Sequence, residues 1–96
     1  MLTSKERKLL ESKANALEPI FQIGKGGVTE NLVKSVAEAL KSRELVKLHV
    51  LNNAEAEPRA ILTELAEKTA SEPVAVRGGK LILYKLSDKD GIKHVL

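Results

Sequence analysis

The sequence predicts a small α/β domain in which helices pack on one mixed, four-stranded sheet. Three segments carry apolar residues at helical spacing, and four short segments are apolar or alternate with a period of two. Their order along the chain is α-β-α-β-α-β-β, which is typical of a layered α/β fold. The 96 residues fit a single domain, with an ordered core expected over residues 3–86 and a polar tail, frayed at its end, over 87–96.

The first helix and the first strand are separated by a proline. Thr3 and Glu6 match a capping box, in which each side chain satisfies the other residue's backbone N–H. The helix that follows is expected to run to about Leu17 and to stop at Pro19. The apolar run at 20–23 predicts the first strand.

The second helix and second strand have the clearest periodicities. Thr29 is the predicted N-cap, and the helix behind it presents an apolar stripe made of Leu32, Val33, Val36, Ala37 and Leu40. Residues 44–51 alternate and are rich in β-branched side chains, which predicts a strand. One of its faces carries Val46, Leu48 and Val50. The other face carries Leu45, Lys47, His49 and Leu51, of which Leu45 and Leu51 are expected to be exposed.

A third helix and a hairpin complete the domain. Pro58 suits the first turn of a helix, and Pro73 is predicted to mark the boundary after that helix. Residues 74–77 and 80–86 are the predicted hairpin strands. Gly78 and Gly79 supply the positive φ angles that a two-residue turn requires.

Composition excludes several classes of protein. The sequence is 43% hydrophobic and 30% charged, lacks cysteine, and has no apolar run of the roughly 20 residues that cross a bilayer. Disulfides and thiolate sites are therefore excluded, and a cytoplasmic location is expected. His49 and His94 have no acidic residues at metal-ligand spacing, and the paired carboxylates fall on a loop and a helix face. We therefore expect no enzymatic activity, no bound metal and no cofactor.

The stretch QIGKGGVT is the most informative motif. It does not match the P-loop pattern, because Gly26 stands where Ser or Thr is needed, and it does not match G-x-G-x-x-G, because Thr29 takes the third position. What remains is G-x-x-G, Gly24 to Gly27, between a strand and a helix. Such a corner suits a phosphate, because glycine permits close approach and helix N-termini carry unpaired N–H groups. A merely flexible connection is the alternative.

Basic residues favour the phosphate-binding interpretation. Residues 1–50 carry nine Lys or Arg against six acids, whereas residues 51–96 carry seven of each. The predicted nucleic-acid-binding residues are Gly24, Lys25, Gly26, Gly27, Thr29, Lys5, Arg7, Lys8, Lys13, Lys34 and Lys41. Phe21 and Tyr84 are the only aromatic residues, so recognition of backbone and shape is expected rather than base stacking.

Several segments together resemble one family, the CRM-domain (chloroplast RNA splicing and ribosome maturation) proteins of the small bacterial YhbY-like type. The segments are Leu2-Thr3 with the basic helix after it, ALEPIFQIGKGGVTENLVKSV (16–36), ALKSRELVKLHV (39–50) and GGKLILYK (78–85). The resemblance covers nearly the whole chain. It implies a fold similar to the C-terminal domain of bacterial initiation factor three, with the Gly24 to Gly27 loop contacting RNA. The family's loop often has Asn where this chain has Gly26, a departure expected to loosen the loop.

The resemblance also implies association with the precursor of the large ribosomal subunit, or with other structured RNA, without enzymatic activity. The functional hypothesis is therefore a non-enzymatic RNA-binding protein of ribosome assembly, and a monomer is the simplest expectation. The alternative is a protein-interaction module that uses Leu45 and Leu51, with the loop only structural.

Overall fold

The computed structural model describes residues 2–96 and has the predicted order of elements. The helices are α1 (Ser4–Ala14), α2 (Glu30–Arg43) and α3 (Pro58–Thr69), and the strands are β1 (Phe21–Ile23), β2 (Leu45–Val50), β3 (Glu72–Arg77) and β4 (Lys80–Tyr84). The strands form one sheet in the order β1-β2-β4-β3. β1 and β2 are parallel, whereas β4 is antiparallel to both of its neighbours. The predicted mixed sheet is confirmed.

The sheet has a helix layer on each face. Strand residues alternate in direction, so one face of β2 presents Val46, Leu48 and Val50 to α2 and α3, in the larger of two buried clusters. The other face presents Leu45 to α1, whose Leu10 and Ala14 are fully buried in the second cluster. α1 therefore lies on the opposite side of the sheet from α2 and α3.

The predicted caps and hairpin turn are present. Thr3 and Glu6 form the capping box of α1, and the Thr29 hydroxyl accepts a hydrogen bond from Leu32 N–H at the start of α2. Gly78 and Gly79 join β3 to β4 with φ angles of +51° and +84°. These local signals fix where the helices begin and where the chain reverses.

Three predicted boundaries are wrong. The α-helix α1 ends at Ala14 rather than Leu17, because Ala16 and Leu17 donate to carbonyls three residues back and so tighten the last turn. Pro73 lies inside β3 rather than before it, since an edge strand tolerates a residue without an N–H. The last strand ends at Tyr84, two residues before Leu86, which is exposed.

The predicted exposure of Leu45 is also wrong. Its side chain is only 4% exposed, because α1 covers this face of the sheet and packs Leu10 and Ala14 near it. Leu51 is half-buried, and its Cδ1 lies 3.6 Å from where a Cβ on Gly24 would be. The two leucines therefore do not form an exposed apolar surface.

The segment 87–96 folds back onto the domain rather than extending from it. Glu44 is fully buried, and its carboxylate accepts hydrogen bonds from Ser87 N–H at 2.7 Å and from Val95 N–H at 3.0 Å. His94 Nδ1 lies 2.7 Å from the same carboxylate. Burial alone would raise the pKa of Glu44, but these hydrogen bonds outweigh burial and hold its pKa below the ordinary value.

None of the helices within residues 2–96 combines the length and the apolar character needed to cross a membrane.

Candidate nucleic-acid interface

The G-x-x-G motif forms a tight turn at the carboxyl end of β1. Gly27 N–H donates to Gly24 C=O at 3.0 Å, which places Lys25 and Gly26 at the two central positions of the turn. Both residues are exposed. Buried Ile23 anchors the turn at its N-terminal end. At the C-terminal end, α2 begins three residues after Gly27. The loop therefore projects from a rigid strand-to-helix corner.

The structure constrains the three glycine positions of this loop differently. Gly24 allows close packing, because a Cβ there would lie 3.2 Å from Asn53 Oδ1. Gly27 has a φ of +64°, a conformation that strains other residues. Gly26 has neither constraint, since its φ is ordinary and nothing lies within 4 Å of a Cβ placed there. Glycine is thus favoured by the backbone conformation at Gly27 and by close packing at Gly24, and the space beside Gly26 is open to a ligand.

The N-terminus of α2 adds hydrogen-bond donors to the loop. Thr29 satisfies the N–H groups of Leu32 and Val33, through its hydroxyl and its carbonyl respectively. The N–H groups of Glu30 and Asn31 have no acceptor among the described residues. Unpaired N–H groups and the helix dipole make this end of α2 suitable for an anion. Exposed Glu30 is the one acid in this first turn.

The structure brings only part of the predicted basic surface to this loop. Lys25 is at its tip, and Lys34 is exposed one helical turn inside α2. Lys41 is also exposed, but it lies 12 residues beyond Thr29, which is about 18 Å along the helix axis. The loop site on one end of α2 is therefore formed by Gly24, Lys25, Gly26, Gly27 and Thr29, with Lys34 beside it.

The basic residues of α1 lie on the other face of the sheet. Lys5 and Lys8 are exposed there, and Arg7 is half-buried. Lys13 Nζ donates to the backbone carbonyl of Val95, so its ammonium group holds the C-terminal segment. Sequence periodicity showed that these residues share a helix, but it could not show on which face of the sheet that helix packs.

A polar row across the sheet was not predicted from the sequence. Gln22 on β1 pairs with His49 on β2, His49 pairs with Lys80 on β4, and Lys80 pairs with Arg77 on β3. Paired residues of neighbouring strands point to the same face, which here is the α1 face. The row begins two residues before Gly24 and crosses to the opposite edge of the sheet. Recognising it requires the strand register, which the sequence does not contain.

Arg77 at the end of this row is held by α1. Its guanidinium makes a two-point contact with the Glu11 carboxylate, through Nε and through Nη2, the latter at 3.1 Å. The hydrogen bond from Arg77 keeps the pKa of Glu11 below its ordinary value. Arg77 is therefore fixed in position while most of its side chain stays exposed.

The residues that could have served catalysis or metal binding are not assembled. No group of three His, Asp or Glu side chains within residues 2–96 is arranged to hold a metal ion. His49 is half-buried in β2, whereas His94 contacts Glu44 near the C-terminus.

The architecture is a small α/β domain with a G-x-x-G turn between an edge strand and a helix. The CRS1 / YhbY (CRM) domain family matches residues 2–85, and the chain belongs to this family. The suspected family resemblance is thereby confirmed.

Individual relatives cover most of the chain. A Bacillus subtilis (strain 168) protein named "Probable RNA-binding protein YqeI" is 44% identical over 90 residues, which are 94% of this chain and 94% of that protein. A Methanocaldococcus jannaschii protein named "Probable RNA-binding protein MJ0652" is 35% identical over 99% of this chain and 70% of its own length. The solution structure of SAV1595 from Staphylococcus aureus matches with a TM-score of 0.80 and 42% identity over 94% of each chain.

Proposed function

We propose that this domain is a non-enzymatic RNA-binding protein that holds the phosphate backbone of structured RNA at the Gly24 to Gly27 loop. The observation that carries the proposal is the open space around Gly26, in a turn that also holds exposed Lys25 and that leads to the unpaired N–H groups of Glu30 and Asn31. A phosphate in that space receives a charge and backbone donors together. The names of the relatives, which describe RNA-binding proteins, support the choice of ligand.

The mode of binding follows from what surrounds the loop. No aromatic side chain lies in the turn, so bases have no stacking platform there. Contacts to phosphates carry no sequence information, and each of them releases counterions. The protein should therefore bind many RNA sequences with similar affinity and lose affinity steeply as salt rises.

We further propose that the RNA is ribosomal, in the precursor of the large subunit, and that the protein acts in ribosome assembly in the cytoplasm as a monomer. The ribosomal role rests on what membership of the family implies, whereas the monomer is the simplest expectation for one small domain and the cytoplasmic location rests on the lack of cysteine. The rival hypothesis of a protein-interaction module is less well supported, because Leu45 is buried and Leu51 packs against the loop.

The loop assignment is tested by substitution and RNA binding. Lys25→Ala and Gly27→Asp should each weaken binding to ribosomal RNA, measured by filter binding at several salt concentrations. Lys89→Ala is the matched control, because Lys89 is exposed in the C-terminal segment near the far end of α2. Unchanged affinity in both loop variants would show that the loop is only structural.

The ribosomal assignment needs a separate experiment. Tagged wild-type protein should sediment with precursor particles of the large subunit in a sucrose gradient, and the Lys25→Ala variant should shift towards the top. Absence of the wild-type protein from those fractions would contradict the assembly role and leave RNA binding untouched.

A further inference from the structure

A cationic groove runs along β3 at the edge of the sheet opposite to β1. Its volume is about 470 Å³, its floor is the segment 73–77, and its walls come from α1 and α3. α1 contributes Ser4, Arg7, Lys8 and Glu11, which recur at the spacing of one helix face. α3 contributes Arg59 and Leu62 from the other side of the sheet. We call this feature the β3 groove.

The β3 groove has an excess of positive charge. Arg7, Lys8, Arg59 and Arg77 line it against one carboxylate, Glu11, which is already paired with Arg77. Within residues 2–96, Arg7, Lys8 and Arg59 have no carboxylate within salt-bridge distance. The Nε atom of Arg7 is buried and has no hydrogen-bond partner among the described residues. Unpaired cationic side chains that line one groove favour an anionic ligand there.

The exposed strand edge of the groove is poorly suited to a peptide. A peptide that extended the sheet would need regular backbone donors and acceptors along β3. Pro73 has no N–H, and the pairing of β3 with β4 shifts register between Pro73 and Ala75. Prolines and bulges are features that protect edge strands from pairing. Charge therefore determines the ligand of this groove, and an RNA phosphate backbone matches it.

The polar row connects the β3 groove to the loop. Gln22, His49, Lys80 and Arg77 are neighbours across all four strands, so the row spans three strand spacings, or about 14 Å. The residues that pack under α1 are Leu45, Val74, Ile82 and Tyr84, which leaves the row outside that contact. Both ends of the row, Gln22 and Arg77, are exposed.

The two faces of the sheet also differ in charge near the Gly78-Gly79 turn. On the α3 side, the hollow beside Gly78 and Gly79 is lined by Glu55 and Glu57. These carboxylates repel a phosphate backbone. On the α1 side, the row carries no acid and ends at the β3 groove. His49 of the row also borders this hollow, so the β3 groove is the electrostatically more favourable end of the row for a strand that leaves the loop.

We propose that the β3 groove is a second phosphate-contact site, and that one strand of RNA runs from the Gly24 to Gly27 loop along the polar row into it. This inference rests on the proposed function, because it assumes that the loop holds the same strand. It assigns RNA contact to Arg59, Arg77, His49 and Lys80, and it gives Arg7 and Lys8 a position in the path.

The length of the RNA tests this path. Fluorescein-labelled uridine oligonucleotides of about four and about twelve residues are suitable probes, because a G-x-x-G loop clamps about four nucleotides. Fluorescence anisotropy should show tighter binding of the longer probe by wild type. In the double variant Lys8→Ala/Arg59→Ala, binding of the longer probe should weaken roughly 25-fold at 0.1 M salt, and its salt slope should fall by about 1.4, for two lost contacts. Binding of the shorter probe should be unchanged.

Lys68→Ala is the control for loss of one charge outside the groove, because Lys68 is exposed on the same helix as Arg59. Equal length dependence in the double variant and this control would overturn the inference. Tighter binding of deca-glutamate than of the longer probe would overturn it in favour of an acidic peptide. Gly27→Asp should weaken both probes. If Gly27→Asp weakens the binding of neither probe, the proposed function fails, while the double variant and its control still report on the second site.

Discussion

Gly24 and Asn53 are packed so closely that a methyl group on Gly24 would lie 3.2 Å from the side-chain oxygen of Asn53. This contact joins the G-x-x-G turn to the loop between β2 and α3. The turn therefore packs against a residue outside its own sequence, and no motif identifies that residue.

Gly24→Ala should displace Asn53 and reduce RNA affinity while costing less than about 1 kcal/mol of stability, because the contact is tight by only a few tenths of an ångström. Asn53→Ala removes the obstructing oxygen, so the double variant should recover much of the lost affinity. Filter binding and urea unfolding of all four proteins form a double-mutant cycle. Strictly additive effects would show that the two residues are not coupled.

Gly26 and Gly27 should respond differently to substitution. Gly27→Ala forces alanine into a positive φ and should cost about 1 kcal/mol of unfolding free energy. Gly26→Asn meets no neighbour within 4 Å, so its melting temperature should equal that of wild type. Thermal unfolding followed by circular dichroism gives both values. A large loss of stability for Gly26→Asn would mean that this position is constrained in a way the backbone does not show.

Glu30 should weaken RNA binding at the loop. Its carboxylate lies in the first turn of α2, where it competes with a phosphate for the same unpaired N–H groups. Glu30→Gln should therefore raise RNA affinity about two- to fivefold at low salt, with a smaller gain at high salt. Glu38→Gln, on an exposed position of the same helix, is the control. A decrease in affinity for Glu30→Gln would place the RNA elsewhere.

Glu44 should make the free energy of unfolding of the domain depend on pH in the acid range. Because its folded pKa is lowered, its contribution is complete above the ordinary carboxyl pKa and is lost as pH falls through the folded value. Glu44→Gln should cost about 1–3 kcal/mol at neutral pH, by weakening its hydrogen bonds to Ser87, His94 and Val95.

Urea unfolding from about pH 7 down to about pH 2 measures this effect. Wild type should lose stability across the acid part of the range, and Glu44→Gln should lose less. Identical pH profiles for the two proteins would show that Glu44 titrates equally in the folded and unfolded states.

The sequence predicts those parts of the fold that have local causes. Thr3 and Thr29 are recognisable as caps because their hydroxyls satisfy N–H groups three residues away, and Gly78-Gly79 is recognisable as a turn because few residues adopt its φ angles. The order of strands and helices follows from hydrophobic periods of 2 and 3.6. The G-x-x-G corner is likewise a local feature, so its position between β1 and α2 could be predicted.

What the sequence does not predict depends on contacts between distant segments. The burial of Leu45 requires knowing that α1 covers that face of β2, and nothing within residues 44–51 indicates it. The row from Gln22 to Arg77 requires the register of all four strands. Arg59 and Arg7 line the same groove only because α1 and α3 both border β3, from opposite faces of the sheet. Candidate contacts of this kind are found from the structure alone.

The central position of β4 also has a consequence for synthesis of the protein. β4 is the last strand in sequence, yet it lies between β2 and β3 and joins them. Until residues 80–84 have left the ribosome, β2 has only three-residue β1 as a partner and β3 has none. The sheet therefore closes only after β4 has emerged, and until then the nascent chain carries β2 and β3 without the strand that joins them.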